Sequence, residues 1–441
     1  MTLESSNGLG LGRALDALEQ ATPMRVRGRV TELTGLVIRG RVPGVRIGEV
    51  VLLRAEGQPV VRTEVAGFRG DEVLLMPLGI TAGIGPDSTL HPTGEPLAIR
   101  VGPELRGRIL DGLGEPMDGL PLPSGLRRWS IQREAPDPFR RRPIDRVLPL
   151  GVRVIDGLLT VGRGQRVGLF AGSGVGKSTL MGQIARGSRA EINVIALIGE
   201  RGRELGEFVA DALGEEGLRR SVVVCATSDQ PALVRLNAAY VATSIAEFFR
   251  EEGADVMFML VSVTRLARAQ REVGLAVGEP PARQGYPPSV FSMLPRLLER
   301  TGNSERGTCT AIYTCLVAGD DMDEPIADEV RGILDGHFVL SRALAERNQW
   351  PAMDVLASLS RVMARIADES HRAAADRFRR VLATYEKNRD LIVLGAYAYG
   401  SDQATDEAID RHEAMLGFLK QDSRERVELE ETVGALQEVF G

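Results

Sequence analysis

A short glycine-rich run with a lysine and two hydroxyl residues is the strongest chemical signal in the chain. Residues 171–179 read Ala-Gly-Ser-Gly-Val-Gly-Lys-Ser-Thr, after the apolar run 167–170 and before apolar residues at helical spacing. A strand, a glycine-rich loop and a helix that opens with Lys-Ser are typical of a nucleotide phosphate site, because glycine N–H groups wrap a polyphosphate at the helix N-terminus. We expect Lys177 to reach the terminal phosphates and Ser178 to ligate Mg²⁺.

All nine residues of this loop are predicted nucleotide contacts. The first glycine of the usual pattern is replaced by Ala171, a one-carbon change at a strand end that we expect to be tolerated. The alternative, a glycine-rich turn with a lone lysine, is disfavoured by the flanking strand and helix. The predicted contacts are Ala171, Gly172, Ser173, Gly174, Val175, Gly176, Lys177, Ser178 and Thr179.

A second charged group follows the next apolar run. Glu200 and Arg201 come directly after a predicted strand. A carboxylate at a strand end near the phosphate loop can orient an attacking water, and an adjacent arginine can meet the charge that develops on the γ-phosphate. Because Glu and Arg at strand ends also form ordinary surface ion pairs, these two residues alone leave both interpretations open.

The elements that must position these residues alternate between strands and helices from residue 151 to about 365. This alternation predicts an α/β region with a parallel sheet and helices on both faces. The predicted strands are 166–170, 193–198, 221–225 and 255–260, and the predicted helices are 177–187, 203–215 and 231–252.

The regions on either side have different patterns. Short apolar runs separated by glycines predict a small β-barrel or sandwich over residues 24–93. Residues from about 95 to 150 are rich in Pro, Gly and Arg and are expected to wrap as an extended connection. Residues 366–441 predict a small α-helical domain. A weakly amphipathic segment at 8–20 fits a core helix or a docking helix for a partner equally well.

Composition narrows the function classes. The chain has 441 residues, 43% hydrophobic and 26% charged, so it is globular and too long for one core. A net charge of −6 argues against a general nucleic-acid binder, and four arginines within 140–146 are expected to be a solvated linker.

The three cysteines, Cys225, Cys309 and Cys315, have no metal-binding spacing and are expected to be buried free thiols. Without a secretory signal or an 18-residue apolar stretch, we expect a cytoplasmic protein.

Several longer motifs in fixed order resemble the protein-export ATPases of type III secretion systems. That group includes the flagellar export ATPase and is related to the catalytic subunits of rotary ATP synthases. The run 319–329 looks more like the injectisome branch than the flagellar one. Besides the phosphate loop, the motifs are Gly-Glu-Arg-Gly-Arg-Glu at 199–204, Ser-Val-Thr-Arg at 262–265, Ala-Arg-Ala-Gln-Arg-Glu at 267–272, Gly-Glu-Pro-Pro at 278–281, Gly-Tyr-Pro-Pro-Ser-Val-Phe at 285–291 and Ile-Leu-Asp-Gly-His at 333–337.

The resemblance implies an architecture and a set of partners. It implies an N-terminal docking segment (1–23), a β-barrel (24–93), a RecA-like P-loop ATPase core with its wrapping connection (94–365) and a C-terminal helical domain (366–441). The protein would be a homohexamer that binds ATP and Mg²⁺ between subunits. Its partners would be a stator or regulator, a stalk protein, chaperone–substrate complexes and the export gate of the inner membrane, where it would be peripheral. It would bind no nucleic acid.

The resemblance also implies residue roles. Glu200 matches the catalytic base and Arg201 its phosphate-contacting neighbour, while Lys177 completes the catalytic set. Arg361 matches the arginine finger that a neighbouring subunit supplies, although an ordinary surface charge is the alternative. Trp350 matches the aromatic residue that stacks on adenine, commonly Tyr in this family, although a ring packed under a turn is the alternative.

One position departs from the family pattern. The strand 255–260 should be followed by an aspartate that holds the Mg²⁺ hydration shell, but Val261 stands there. Asp255 cannot substitute, because it lies roughly 20 Å away at the other end of the strand. Three explanations are open: slow hydrolysis through Ser178 and the phosphates, an inactivated form, or another acidic side chain in the site. We expect nucleotide binding to survive and turnover to fall.

The sequence is compatible with three functions. The first, an export ATPase that releases chaperones and unfolds substrates, fits best. The second is a non-hydrolysing ring subunit with a structural or regulatory role, which Val261 favours. The third is a nucleic-acid translocase, which is disfavoured because Phe68 is the sole aromatic residue in 24–93. For the export ATPase, truncation after about residue 366 is predicted to abolish partner capture and spare nucleotide binding.

Overall fold

The computed structural model describes residues 26–441, so the predicted docking segment 1–23 and the amphipathic segment 8–20 lie outside the described residues. The chain divides into two compact units, one ending at Leu97 and the other spanning Ala98–Gly441. No helix within the described part of the chain has both the length and the apolar character that a bilayer crossing requires.

The first unit is a closed six-stranded barrel, which confirms the barrel rather than the sandwich. Its strands are β1 (Gly28–Thr34), β2 (Val37–Arg41), β3 (Glu49–Arg54), β4 (Val61–Arg69), β5 (Glu72–Pro77) and β6 (Thr89–Pro96). Around the barrel the order is β1-β2-β5-β4-β3-β6. Val51, Leu53, Leu75 and Leu90 are fully buried inside it. Alternate residues of a strand share one face, so each strand fills the interior with every second side chain.

The second unit is built around an eight-stranded sheet in the order β16-β15-β10-β14-β13-β11-β12-β8, with a separate two-stranded β7-β9 ribbon. Every neighbouring pair of the large sheet is parallel except β15 with β16. The strands are β7 (Ala98–Val101), β8 (Ile109–Asp111), β9 (Arg127–Ser130), β10 (Arg166–Ala171), β11 (Ile192–Glu200), β12 (Ser221–Thr227), β13 (Asp255–Val261), β14 (Thr308–Leu316), β15 (Gly336–Leu340) and β16 (Met353–Ser360).

Helices cover both faces of this sheet, as predicted. Every residue of β11 and β13 is buried, which requires packing on each side of the sheet. The helices are α1 (Arg153–Leu158), α2 (Lys177–Gly187), α3 (Gly202–Glu207), α4 (Gly214–Arg219), α5 (Ala232–Glu251), α6 (Val263–Ala276), α7 (Pro288–Leu298), α8 (Pro325–Ile333), α9 (Arg342–Glu346), α10 (Met363–Ile366), α11 (Glu369–Val393), α12 (Gln403–Leu419) and α13 (Leu429–Glu438). The predicted helix 203–215 is divided, because a π-helical turn (Phe208–Leu213) joins α3 to α4.

The connection before α1 is more ordered than the sequence predicts. Its strand β8 pairs with β12 and extends the main sheet. Arg141 donates to the carbonyl oxygens of Glu299 and Thr301, and Arg142 donates to those of Ser304 and Arg306. The expectation of a solvated linker is therefore wrong for Arg141, which is partly buried, whereas Arg142 is exposed. A guanidinium carries five donors, which suits it to hold several loop carbonyls at once.

The last three helices share the hydrophobic core of the sheet. Phe378 of α11, Met415 of α12 and Leu436 of α13 belong to the same buried cluster as Leu169 of β10. Each of these helices therefore depends on the sheet for its stability. Cys225, Cys309 and Cys315 are buried free thiols, as predicted.

Candidate active site

The predicted site residues converge at one edge of the sheet. The strands β10, β11 and β13 run parallel, so their carboxyl ends meet at the same edge. The glycine-rich loop follows β10, Glu200 is the last residue of β11, and Val261 is the last residue of β13. Parallel topology therefore brings together segments that are far apart in sequence.

The loop between β10 and α2 has the backbone of an anion-binding turn. Gly174 and Gly176 have φ angles of 79° and 84°, a region that glycine enters without the steric cost of a Cβ. Helix α2 begins at Lys177, and no side chain caps its first turn. The N–H groups of that turn and the positive end of the helix dipole are suited to bind a phosphate.

A cavity of about 670 Å³ opens over this loop. Its volume is in the range of small-molecule sites. The loop residues from Gly172 to Thr179 line it, and so do four charged residues and an aromatic one from elsewhere in the chain. These five are Glu200, Glu204, Arg265, Asp422 and Trp350.

Two cations flank the carboxylate of Glu200. Lys177 Nζ lies 3.6 Å from Glu200 Oε1, and an Arg265 guanidinium nitrogen lies 3.0 Å from Glu200 Oε2. Arg265 also donates to the carbonyl oxygen of Gly199. Ser262 positions Arg265, because the Ser262 hydroxyl caps α6 by accepting from the Arg265 backbone N–H.

Glu200 has an open hydrogen-bonding position. Burial raises the pKa of its carboxyl above the ordinary value, and the Lys177 ammonium opposes that rise. Burial likewise lowers the pKa of Lys177. Glu200 Oε1 is buried and has no hydrogen-bond partner. The Lys177 ammonium at 3.6 Å is beyond hydrogen-bond distance, so this oxygen is suited to take a proton or hydrogen bond from a water or ligand in the cavity.

Trp350 lies over the phosphate loop. Its Nε1 donates to Asn348 Oδ1 at 2.9 Å, and the side chain is 39% exposed. A Cβ added to Gly176 would lie 2.8 Å from the indole ring, so glycine at 176 makes room for the tryptophan. The exposed indole face is available for stacking on a planar group.

Three predicted site residues lie outside the cavity lining. Ala171 is 1% exposed at the end of β10. Arg201 is exposed at the start of α3, and its strand neighbour Glu200 turns inward instead. Arg361 is exposed after β16. Within one chain, Arg265 takes the place beside Glu200 that the sequence analysis gave to Arg201.

The segment between the last two C-terminal helices also contributes to the cavity, which the sequence did not predict. Gln421, Asp422 and Ser423, between α12 and α13, line the cavity opposite the loop. These residues are more than 240 positions from the phosphate loop, and their local sequence carries no recognisable motif. The Ser-Val-Thr-Arg run at 262–265 was a usable signal for Arg265, because it follows a strand of the same sheet.

Val261 places no polar atom in the cavity. It is 4% exposed and belongs to the hydrophobic core together with Leu197, its partner on β11. Asp255 lies at the opposite end of β13, where it pairs with Arg163 and Thr308. The acidic residues that do line the cavity are Glu200, Glu204 and Asp422.

Comparison with protein-family models gives three matches that together span most of the chain. Residues 30–94 match the β-barrel domain of the ATP synthase alpha/beta family. Residues 151–360 match the nucleotide-binding domain of that family. Residues 367–438 match the T3SS EscN ATPase C-terminal domain.

Individual relatives are similar over nearly their whole length. A flagellum-specific ATP synthase of Bacillus subtilis is 54% identical over 97% of this chain and 98% of its own. A type 3 secretion system ATPase of Xanthomonas euvesicatoria is 53% identical over 93% of each chain. The assembled ATPase EscN of the enteropathogenic E. coli type III secretion system has a TM-score of 0.89 and 46% identity, covering 93% of this chain and 99% of that one.

Proposed function

The chain belongs to the ATP synthase alpha/beta family, among the type III secretion and flagellar export ATPases, and on that premise we propose that it forms a hexameric ring that couples ATP hydrolysis to protein export. The injectisome branch is part of the proposal, because identities of 54% and 53% do not separate the two branches. We also propose that the ring works on the cytoplasmic side of the inner membrane, at the secretion apparatus.

The observation that carries this function is the open carboxylate beside the phosphate loop. Glu200 Oε1 is buried, faces the Lys177 ammonium at 3.6 Å and accepts no hydrogen bond, in a cavity that the loop with Lys177 and Ser178 also lines. In our proposal Lys177 and the loop N–H groups hold the phosphates of ATP, and Glu200 accepts a proton from the attacking water. Arg265, which holds Glu200 in place, is a positioning residue.

The residues present fit a magnesium ion only in part. Mg²⁺ prefers oxygen ligands and keeps several waters, and it neutralises the charge that develops on the phosphates. The Ser178 hydroxyl would hold it, and Glu200 and Glu204 offer acceptors for its waters in the same cavity. Val261 offers none. We therefore propose that the chain binds nucleotide well and turns it over slowly.

Arg361 requires a second subunit in this proposal. Its side chain is exposed and does not line the cavity of its own chain. A finger that stabilises transition-state charge must contact the phosphates, so Arg361 would act on a neighbour's cavity. The assembled form of EscN, which covers 93% of this chain, supports a ring in which such contacts recur at each interface.

The tip between α11 and α12 is our candidate for the partner-facing surface. Val393, Leu394 and Tyr399 are 74%, 79% and 67% exposed there, although each is apolar or aromatic. Exposed apolar groups that cluster at one place mark interaction sites. A solved structure of EscN contains its central stalk EscO. We propose that this tip binds a stalk protein, and that a stator or regulator, chaperone–substrate complexes and the export gate bind the same ring.

Val261 also supports a second candidate function, a ring subunit that binds nucleotide without hydrolysing it. The two candidates differ in one measurable property. The export ATPase turns over ATP steadily, whereas the structural subunit binds ATP and leaves it intact.

ATP turnover by the purified chain tests the proposal. We expect slow steady hydrolysis that Lys177→Ala abolishes, because the phosphates lose their cation, while the exposed Lys387→Ala leaves it unchanged. Added RNA is expected to have no effect. Bound but unhydrolysed ATP would favour the structural subunit, and stimulation by RNA would favour a translocase.

A further inference from the structure

A second cavity adjoins the segment that carries Trp350. Its volume is about 590 Å³, which is in the range of small-molecule sites. Residues of α9, β16, α11 and α12 and of the connections between them line it. None of the residues to which the proposed function gives a role in binding or hydrolysing ATP belongs to this lining, so the second cavity has no part in that chemistry.

Two chain segments are shared by the second cavity and the cavity over the phosphate loop. Residues 350–352 line the phosphate-loop cavity, whereas Gln349 and Met353 on either side of them line the second one. Residues 421–423 line the phosphate-loop cavity, whereas Leu419 and Lys420 just before them line the second one. The two segments are also joined to each other, because a backbone N–H of the second donates to a carbonyl oxygen of the first at 2.9 Å. A ligand that orders these segments in one cavity therefore orders walls of the other.

Much of the lining of the second cavity is apolar. Tyr385 of α11 and His412 of α12 stack there, with ring centroids 3.5 Å apart and planes 7° apart. Burial lowers the pKa of His412, so this wall is uncharged near neutral pH. A ligand with an apolar body gains free energy by covering such surface. The buried apolar side chains of the lining are Met353, Val355, Leu382 and Leu419.

The charged side chains of the lining include one more cation than anions. The cations are Arg347, Arg389 and Lys420, and the anions are Asp354 and Glu386. Glu386 lies 3.2 Å from Arg389 and 3.9 Å from Arg347, so it serves both arginines. Lys420 has no ion-pair partner among the residues that the structure describes. The excess positive charge favours a ligand with an anionic group.

Gln349 adds a buried polar group to the same lining. The residue is 6% exposed, and its backbone N–H donates to the carbonyl oxygen of Leu344 at 3.1 Å. Within the described part of the chain, nothing donates to or accepts from its side-chain amide. Buried polar groups are nearly always hydrogen-bonded, and an unmade bond costs free energy. A ligand oxygen that accepts from this amide recovers that free energy.

We propose that the second cavity binds a small amphipathic organic anion and that this ligand tightens nucleotide binding. The apolar part of the ligand covers the buried side chains, and its carboxylate or sulfonate group accepts from the Gln349 amide and pairs with Lys420. The coupling to ATP follows because the shared segments are ordered by whichever ligand binds first, so the second ligand loses less conformational entropy. The anion site stands apart from the nucleotide function proposed above, whereas the coupling rests on it.

The dye anilinonaphthalene sulfonate is the probe, because it is an amphipathic anion that fluoresces in apolar surroundings. We expect the full chain to bind it saturably, with one dye per chain. Gln349→Met keeps the length of the side chain and removes the donor, so the affinity for the dye is expected to fall about tenfold. Lys420→Ala is expected to cost about threefold. Lys387→Ala removes an exposed lysine outside the cavity and is the matched control, with no expected change.

A cavity-filling variant tests the place of the dye. Leu416 is a half-buried residue of the lining, and Leu416→Trp puts an indole into the space that the dye would occupy. We expect this variant to lose dye binding and to keep ATP binding, measured by isothermal titration calorimetry, which also shows that it is folded. Leu120→Trp, at an exposed position outside the cavity, is the control and is expected to bind the dye normally.

The coupling is measured as the affinity for ATP with and without saturating dye. We expect the dye to tighten ATP binding about fivefold, at the lower end of allosteric couplings, and to have no effect in Leu416→Trp. An unchanged affinity for ATP in the dye-loaded protein would overturn the coupling. Failure of ATP to bind at all, with dye binding intact, would instead contradict the proposed nucleotide function.

Three outcomes overturn the anion site. Dye binding that is unaffected by both Leu416→Trp and Gln349→Met would place the dye elsewhere, such as the exposed tip between α11 and α12. Displacement of the dye by ATP would place it in the phosphate-loop cavity. Loss of dye binding as subunits associate would assign the second cavity to a neighbouring chain.

Discussion

In the proposed function Glu200 is the general base, and its environment has to meet two requirements. It must be ionised to accept a proton from water, and it must be basic enough to do so. Burial raises its pKa, which increases its basicity, while Lys177 at 3.6 Å keeps the ionised form accessible. Arg265 at 3.0 Å holds the carboxylate in place. General bases work best when their pKa is moved toward the working pH.

The pH profile of kcat/KM reports this shift. Glu200 must be deprotonated to act, so activity is lost as the pH falls through its raised pKa. We expect the acidic limb to lie above 4.5, the ordinary value for a glutamate. Glu200→Gln should still bind ATP but lose about 10²- to 10⁴-fold in turnover, the typical contribution of a general base. An acidic limb at the ordinary value, or a fully active Glu200→Gln, would exclude Glu200 as the base.

We expect Val261 to limit the rate of ATP hydrolysis. Val261→Asp is expected to raise turnover about tenfold or more at saturating Mg²⁺, because a carboxylate at this strand end can order the waters of the metal. The affinity for ATP, measured by Trp350 fluorescence, should change little. Val261→Asn, of similar size and without charge, is the control and should give no increase. If Val261→Asp binds ATP and is no faster, another step limits hydrolysis.

The sequence was informative at those positions where a short motif determines the geometry. A glycine-rich loop between a strand and a helix fixes its own backbone, so the placement of Lys177 and Ser178 followed from the motif. The motif did not show that Arg265 and not Arg201 lies beside Glu200. That placement depends on how the backbone turns at the end of β11 and on where α6 begins. The place of Asp422 in the cavity lining could not be predicted, because only tertiary packing brings this residue to the cavity.

At the scale of elements, the segment between the last two C-terminal helices forms part of the proposed nucleotide site. They share the core of the sheet through Phe378 and Leu436, and their connecting segment 421–423 lines the cavity. This packing revises the truncation prediction made from the sequence. A chain that ends near residue 366 is now expected to lose nucleotide binding as well as partner capture. Retention of ATP binding by the truncated chain, measured by fluorescence, would contradict this packing.

A buried ion pair joins α5 to the segment before β14. Arg300 donates to both carboxylate oxygens of Glu247, at 2.8 and 2.7 Å, and the two side chains are 3% and 2% exposed. Arg300→Met should lower the free energy of unfolding by about 3 kcal/mol, because it removes the bidentate partner of the buried Glu247 carboxylate, which keeps a longer contact to Arg133 at 3.4 Å. Arg127→Met breaks the exposed pair with Glu252 and should cost under about 1 kcal/mol. Equal losses in urea denaturation would refute this difference.

The alternation of strands and helices was predictable, since the hydrophobic periodicity of a strand or a helix is set by its local backbone geometry. The strands 166–170, 193–198 and 255–260 differ from the observed bounds by at most two residues. The connection from 95 to 150 was predicted less well. Its order comes from long-range contacts, such as those of β8 with β12 and of Arg141 with loop carbonyls, and these leave no periodic pattern in the sequence.

At the scale of the whole molecule, one chain holds every proposed catalytic part except the cation from Arg361. The cavity of a single chain contains Lys177, Glu200 and Arg265, and Arg361 lies outside it. In a ring, each subunit can complete its neighbour's site by supplying Arg361. We therefore expect hydrolysis to depend on assembly and nucleotide binding not to depend on it.

The most direct test of this account is ATP turnover per subunit measured against protein concentration, with Trp350 fluorescence measured in parallel. We predict that turnover per subunit rises steeply as subunits associate, while nucleotide binding is already present in the dilute protein. Arg361→Ala should associate and bind ATP yet stay at the dilute rate, because a finger of this kind contributes about 10³- to 10⁵-fold. A turnover per subunit that is constant from dilute to concentrated protein, and unaffected by Arg361→Ala, would contradict catalysis across a subunit interface.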